Sequence, residues 1–269
     1  MTTPFACIVG VDFSGARYAG RSTWIATGRP NAGTLAIADI RPAASLAGGG
    51  TGLHAMLAAL RARLLQAEGA IVGLDFPFAL PLELQRDEDW IGFAGQFTRR
   101  WPDAQSFRQA CRAQSGGREF KRRCDREART PFAAYNLRLF RQTYYGIGHV
   151  LAPLAASGRV RIAPVHDVAS PSVTLVEACP ASLLKRFGLY RRYKGSGPAP
   201  AGERREIIDA LAAAGLQLSD PALAVAKAQT GGDALDAALA AMCAWFAAGT
   251  PEQLSPRDLG DAREARVFF

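Results

Sequence analysis

Apolar residues come in short runs through the first third of the chain, and two of those runs are nearly the same. Phe5 to Val11 (FACIVGV) stops at Asp12-Phe13-Ser14-Gly15, and Ala70 to Leu74 (AIVGL) stops at Asp75-Phe76, so the frame Ile-Val-Gly-aliphatic-Asp-Phe is written twice. An unbroken apolar run of this length, bounded by turn residues, predicts a buried strand. Trp24 to Thr27 and Leu35 to Ile40 flank the turn signal Gly28-Arg29-Pro30-Asn31-Ala32-Gly33 and predict an antiparallel hairpin. After Gly48-Gly49-Gly50, residues Leu53, Met56, Leu57, Leu60, Leu64 and Leu65 recur at helical spacing. With the order strand, strand, strand, helix, strand, the fourth strand can lie parallel to the first and beside it. Asp12 and Asp75 then leave one sheet edge about 5 Å apart.

From Leu82 to Pro131 the pattern changes to Arg-rich sequence interleaved with Trp90, Phe93, Phe97, Trp101, Phe107 and Phe120. It predicts a basic helical insertion at about residues 82–131 within a single domain spanning 1–269. The spacing of Trp90, Phe93, Phe97 and Trp101 predicts a small core belonging to the insertion itself; the other use of such aromatics is stacking on bases. Helical spacing resumes over Ala133 to Leu154. Val173 to Val176 predicts a further strand, closed by Glu177 and stopped at Pro180. Ala181 to Phe187 and Glu203 to Ala214 read as helices joined by the basic linker Tyr190-Arg191-Arg192-Tyr193-Lys194-Gly195. The last strong helix, Asp233 to Phe246, follows Gly231-Gly232, and its first turn carries Asp233 and Asp236 on one face.

The chain has 269 residues, 49% of them hydrophobic, and no apolar run of the roughly 18 residues that a membrane span needs. A soluble globular protein is expected. MTTPFACIVG has no basic stretch ahead of its apolar residues, which points away from a signal peptide and towards a cytoplasmic location. Five widely spaced cysteines without a CxxC pair, and three histidines, exclude zinc-ligand spacing and a disulfide framework. Cys7 and Cys243 read as small buried hydrophobes, and His149 and His166 receive no role. The net charge of +8 is concentrated: between Arg99 and Arg129, ten Lys or Arg face four Asp or Glu. Such a patch suits a polyanion, and a solvated helical surface accounts for it equally well.

Three strand ends and one helix start carry acids: Asp12, Asp75, Glu177, Asp233 and Asp236. Hard divalent cations such as Mg²⁺ or Mn²⁺ take a few carboxylates, and a pair of ions can serve phosphodiester hydrolysis. Each acid also has an ordinary use. Asp after a strand makes turns, Asp233 suits a helix cap, and Glu177 can pair with an Arg of the insertion. As substrate contacts the sequence offers Ser14 in the turn after Asp12, Arg122, Arg123 and Arg126 in the basic insertion, and Lys194 in the linker. A tight turn, a helix-surface charge ladder and a solvated lysine are the corresponding plain readings.

The segments GVDFSGA, GLDFPFALP, EACPASLLKRFGLYRRYKG and GDALDAALAAMCAW, taken in order, resemble the family called domain of unknown function 429, described as predicted nucleases with an RNase H-like fold. The resemblance covers nearly the whole chain, least clearly Leu82 to Pro131. It implies an α/β fold with a mixed five-stranded sheet flanked by helices. Similarity to Holliday-junction resolvases of that superfamily implies catalytic, metal-binding acids at Asp12, Asp75, Asp233 and Asp236. Glu177 heads the strand-end motif, and Cys179 stands before Pro180 where a Tyr or His is expected. The implied function is a metal-dependent nuclease using Mg²⁺ or Mn²⁺ on DNA or RNA. The alternatives are a non-catalytic nucleic-acid-binding or adaptor protein on the same fold, an actin-like phosphotransferase or ATPase, and a binder of a small phosphorylated metabolite.

Overall fold

The computed structural model describes residues 3–87 and 89–269. Its centre is one mixed sheet of eight strands: β1 (Cys7–Asp12), β2 (Trp24–Asn31), β3 (Thr34–Pro42), β4 (Ala70–Leu74), β5 (Val160–Ala163), β6 (Val173–Ala178), β7 (Leu216–Leu218) and β8 (Val267–Phe268). The spatial order is β5-β6-β4-β1-β2-β3-β7, with β8 beside β6. Five strands were expected, and β5, β7 and β8 correct that number. Each is two to four residues long, too short to register as an apolar run, and each adds to a strand already in place.

β2 runs antiparallel to β1 and β3, while β4 lies parallel to β1. The repeat has a plain meaning here. Ile8 pairs with Ile71, Val9 with Val72, Gly10 with Gly73 and Val11 with Leu74, so the two copies are neighbouring strands in register. β6 continues the ladder, placing Val176 beside Gly73 and Glu177 beside Leu74.

Side chains alternate between faces along a strand, and residues paired across parallel strands share a face. Ile8, Ile71, Val176 and Ala178 therefore point to one side, where they pack against the Ala-rich helix Asp233–Ala248. Val9, Val11, Val72, Leu74 and Leu175 point to the other, against the helix Leu53–Leu65 and the insertion. Gly10 and Gly73 belong to the first face. A Cβ on Gly10 would sit 2.1 Å from the Ala237 carbonyl oxygen and the Ala241 nitrogen, and one on Gly73 would sit 2.3 Å from the Ala240 oxygen. The helix thus rests on bare sheet backbone.

The insertion forms the helices Trp90–Arg100, Ala104–Gln114 and Arg123–Glu127. Asp89 and Asp103 cap the first two by accepting from Gly92 N–H and Ser106 N–H. Phe97, Trp101 and Phe107 pack at ring separations of 4.9 to 5.3 Å, and Tyr144 closes on Phe97 at 5.8 Å. These rings are continuous with the sheet core. This corrects the expectation of a separate core, because the sheet face offers Val9, Val11 and Leu74 as apolar surface. The helix expected from Ala133 starts later, at Phe140. Among the described residues no helix is long and apolar enough to cross a membrane.

Candidate active site

Asp12 is the last residue of β1, and Asp75 follows β4, its N–H donating to the Val11 carbonyl at 3.0 Å. Both stand two residues beyond a glycine of the helix-facing side, so both carboxylates leave the sheet on that face. The helix that rests on those glycines starts at the same edge. Gly232 caps it in the left-handed region (φ 83°), and its carbonyl accepts from Asp236 N–H at 2.9 Å. Asp12, Asp75 and Asp236 consequently line one cavity of about 380 Å³.

Asp12 and Asp236 are buried. Burial, then the neighbouring Asp236 and Asp75, push the Asp12 carboxyl well above the usual carboxylate range. The same causes, burial first and then Asp236, push Asp75 up to about 8. Asp236 is the acid with partners: Tyr193 donates its hydroxyl to Oδ1 at 2.6 Å and Lys194 Nζ meets Oδ2 at 2.5 Å. Burial works against the Lys194 ammonium, yet Asp236 and Asp12 hold it above its ordinary value. Its side chain keeps about half of its surface open to solvent.

Tyr193 and Lys194 reach this edge because the linker is pinned from beneath. Buried Arg204 donates to the carbonyls of Tyr193 (2.7 Å) and Gly195 (3.1 Å), and Gly195 N–H donates to Thr230 O at 2.7 Å. Cys179 also lines the cavity, its thiol pushed up to about 12 by burial and then by Asp75, so it stays neutral at ordinary pH.

Asp233 does not line the cavity, although its charge is near enough to help raise Asp12. It is the first residue of the helix, not its cap, and its Oδ2 accepts from Gln229 Nε2 at 3.0 Å. Burial, the leading cause, raises its pKa.

Glu177 touches the cavity lining from the opposite face of the sheet. Pairing with Leu74 turns its side chain towards the insertion. There Arg122 holds it bidentately, at 2.5 and 2.7 Å, while Phe78 N–H donates to Oε2 at 2.8 Å. Arg122 is fully buried and also grips Asp125 at 2.8 and 3.0 Å. Pairing with an Arg of the insertion, one of the two uses the sequence offers Glu177, is the one the structure shows; its use as a metal ligand, and a substrate role for Arg122, are corrected. Both Glu177 oxygens are committed to a buried ion pair, not left for a metal, and Arg122 has no exposed surface with which to meet a substrate.

The remaining candidates lie outside the cavity. Arg123 pairs with Asp258 at 2.8 Å and Asp261 at 2.6 Å. Arg126 is exposed, and its guanidinium donates to the Lys121 carbonyl. Ser14 belongs to a turn: its N–H donates to Thr23 Oγ1 at 3.1 Å, and its hydroxyl meets Ser22 Oγ at 2.9 Å. What sequence reasoning missed is the pairing of Tyr193 with Asp236 and the pin supplied by Arg204. The only signal for the first was its place next to Lys194 in the linker; the second had none.

Among the described residues no three His, Cys, Asp or Glu form a ready-made metal cage. The donor chemistry nevertheless fits a hard cation, because three carboxylates share one partly enclosed space and Lys194 is the one cation of the lining paired with any of them. No family model, curated protein or solved structure matches the chain.

Proposed function

We propose that the chain is an RNase H-like member of the predicted-nuclease family it resembles, and that it hydrolyses phosphodiesters of DNA or RNA with Mg²⁺ or Mn²⁺. The observation that carries this is the convergence of Asp12, Asp75 and Asp236 at the ends of two in-register parallel strands and one helix. The fold reading is supported by the centre of the sheet, where one hairpin strand, β2, runs against β3, β1, β4 and β6.

Asp12, Asp75 and Asp236 would hold the cation, with Asp233 beside them. When bound, such an ion supplies an activated water and charge stabilisation for the leaving oxygen. Asp75 gives up its proton to become a donor, which ties cation affinity to pH. Tyr193 keeps Asp236 oriented through its hydroxyl. Lys194, released from Asp236, has the reach and charge to meet a substrate phosphate at the same edge.

A second reading, a nucleic-acid-binding protein that does not cut, is favoured by one observation: Lys194 already satisfies Asp236 without a metal. A labelled panel of single-stranded, duplex, hybrid and branched DNA and RNA separates the two. With Mg²⁺, Mn²⁺ or EDTA present, wild type is compared with Asp75→Asn. Metal-dependent cutting that the variant loses supports the nuclease; equal binding by both proteins, no cutting and indifference to metal support the second reading.

A further inference from the structure

The carboxylates lie at the floor of a cavity whose volume, about 380 Å³, falls at the small end of the roughly 300–1,000 Å³ typical of small-molecule sites. Two segments form its rim. One runs from Thr130 to Gln142 and brings Phe132 and Arg138; the other is the linker, which brings Tyr190 and Arg192. The Arg138 guanidinium lies over the Phe132 ring at 5.3 Å, and Lys185 Nζ covers the Tyr190 ring at 4.8 Å. Tyr190 is 49% exposed although it lines the cavity. Among the described residues Arg138 and Arg192 have no acidic partner, unlike Arg191, which pairs with Glu206 at 2.8 Å.

Each of these features matches one part of a nucleotide. Aromatic rings and guanidinium planes stack on unpaired bases, and unpartnered arginines at a rim meet phosphates. The acidic floor takes the scissile phosphate only with a cation between them. A duplex presents its bases already stacked and paired, and proteins read it across several base pairs of groove. A pocket of this size with acids at the bottom has no room for that.

We propose that the site takes one unpaired nucleotide unit, from a single strand or extruded from a duplex, with Tyr190 and the Phe132–Arg138 pair as stacking platforms and Arg138 and Arg192 as phosphate contacts. This rests on the nuclease reading of the floor, and it assigns the rim a substrate class.

The test is fluorescence anisotropy with Ca²⁺ in place of Mg²⁺, so that a hard cation can sit between the acids and the phosphate, the strands being checked for integrity afterwards, with a labelled 12-mer single strand, its blunt duplex, and a mononucleotide as competitor. The expected result is single strand bound at least about tenfold tighter than duplex. Tyr190→Ala and Arg138→Ala each weaken the single strand about 5- to 150-fold, the range measured per stacked base, and leave the duplex unchanged. Both positions are exposed, so both variants keep the fold. Competition by the mononucleotide at near-equal affinity identifies a free nucleotide as the ligand; competition only by strands identifies a polymer. Equal affinity for strand and duplex, or rim variants that bind like wild type, overturns the proposal. The cutting assay with Asp75→Asn is independent: single-strand binding without cutting sinks the nuclease and keeps the pocket, while duplex cutting that Tyr190→Ala and Arg138→Ala leave unchanged keeps the nuclease and sinks the pocket.

Discussion

Gly10 and Gly73 stand side by side in adjacent parallel strands, and the backbone of the helix Asp233–Ala248 lies directly on both. No side chain fits at either position. Because Asp12 and Asp75 follow two residues later and Asp236 is in the first turn of that helix, the contact that seats the helix also brings the three acids together.

Gly10→Ala places a methyl group 2.1 Å from backbone atoms of Ala237 and Ala241, which cannot rotate away. The variant is expected to lose about 3 kcal/mol or more in denaturant unfolding, at the upper end of overpacking costs. If the loss is within experimental error of zero, the helix is not seated as described.

The acids give a pH dependence whose sign is fixed. Asp75 holds its proton in the folded chain up to about 8, whereas an unfolded Asp releases it near 3.8. Between those values the native state binds more protons, so stability falls as pH rises through the window, and burial shifts Asp12 in the same direction. In EDTA, Asp75→Asn is expected to raise Tm at pH 9 by at least about 2–4 °C, the shift that each ~1 kcal/mol gives a chain of this size, and to leave it nearly unchanged at pH 4. Parallel Tm-against-pH curves for the two proteins would refute the assignment.

Arg122 is held by two carboxylates inside the protein, so its loss leaves both charges uncompensated. Arg122→Met is expected to cost about 3–5 kcal/mol, and adding Glu177→Gln and Asp125→Asn to recover part of it. Urea titrations of the single and triple variants decide this; a single variant as stable as wild type would show that the pair contributes nothing.

Lys194 pairs with Asp236, so a cation held as proposed would have to compete with it for that carboxylate. Calorimetric Mn²⁺ titration of Lys194→Met is expected to show affinity about tenfold higher than wild type, or ~1.4 kcal/mol. Unchanged affinity would mean that the cation does not use Asp236.

Much of this arrangement was legible in the chain. The doubled Ile-Val-Gly-aliphatic-Asp-Phe frame pointed to paired parallel strands, and the Asp233/Asp236 spacing to a helix start, because both signals are local. Which face Glu177 takes was not legible: it depends on the register between β6 and β4, and nothing in VTLVEA states that register. Arg122 was hidden in a charge run, KRRCDREAR, where only tertiary packing decides which arginine turns inward. The edge strands β5, β7 and β8 leave almost no sequence signature, since two to four residues cannot establish a period. The rim is assembled from segments some fifty residues apart, and composition alone does not pair them.

The alternation of faces along β6 has a consequence for how this protein can change. Glu177 is clasped by Arg122 only because it falls on an odd step relative to Gly73. One residue gained or lost within β6 ahead of it would swing the carboxylate across the sheet to the face of Asp12 and Asp75, leaving the buried Arg122 guanidinium with Asp125 alone. A length change in that strand therefore carries the cost of breaking a buried ion pair, which a substitution at the rim does not.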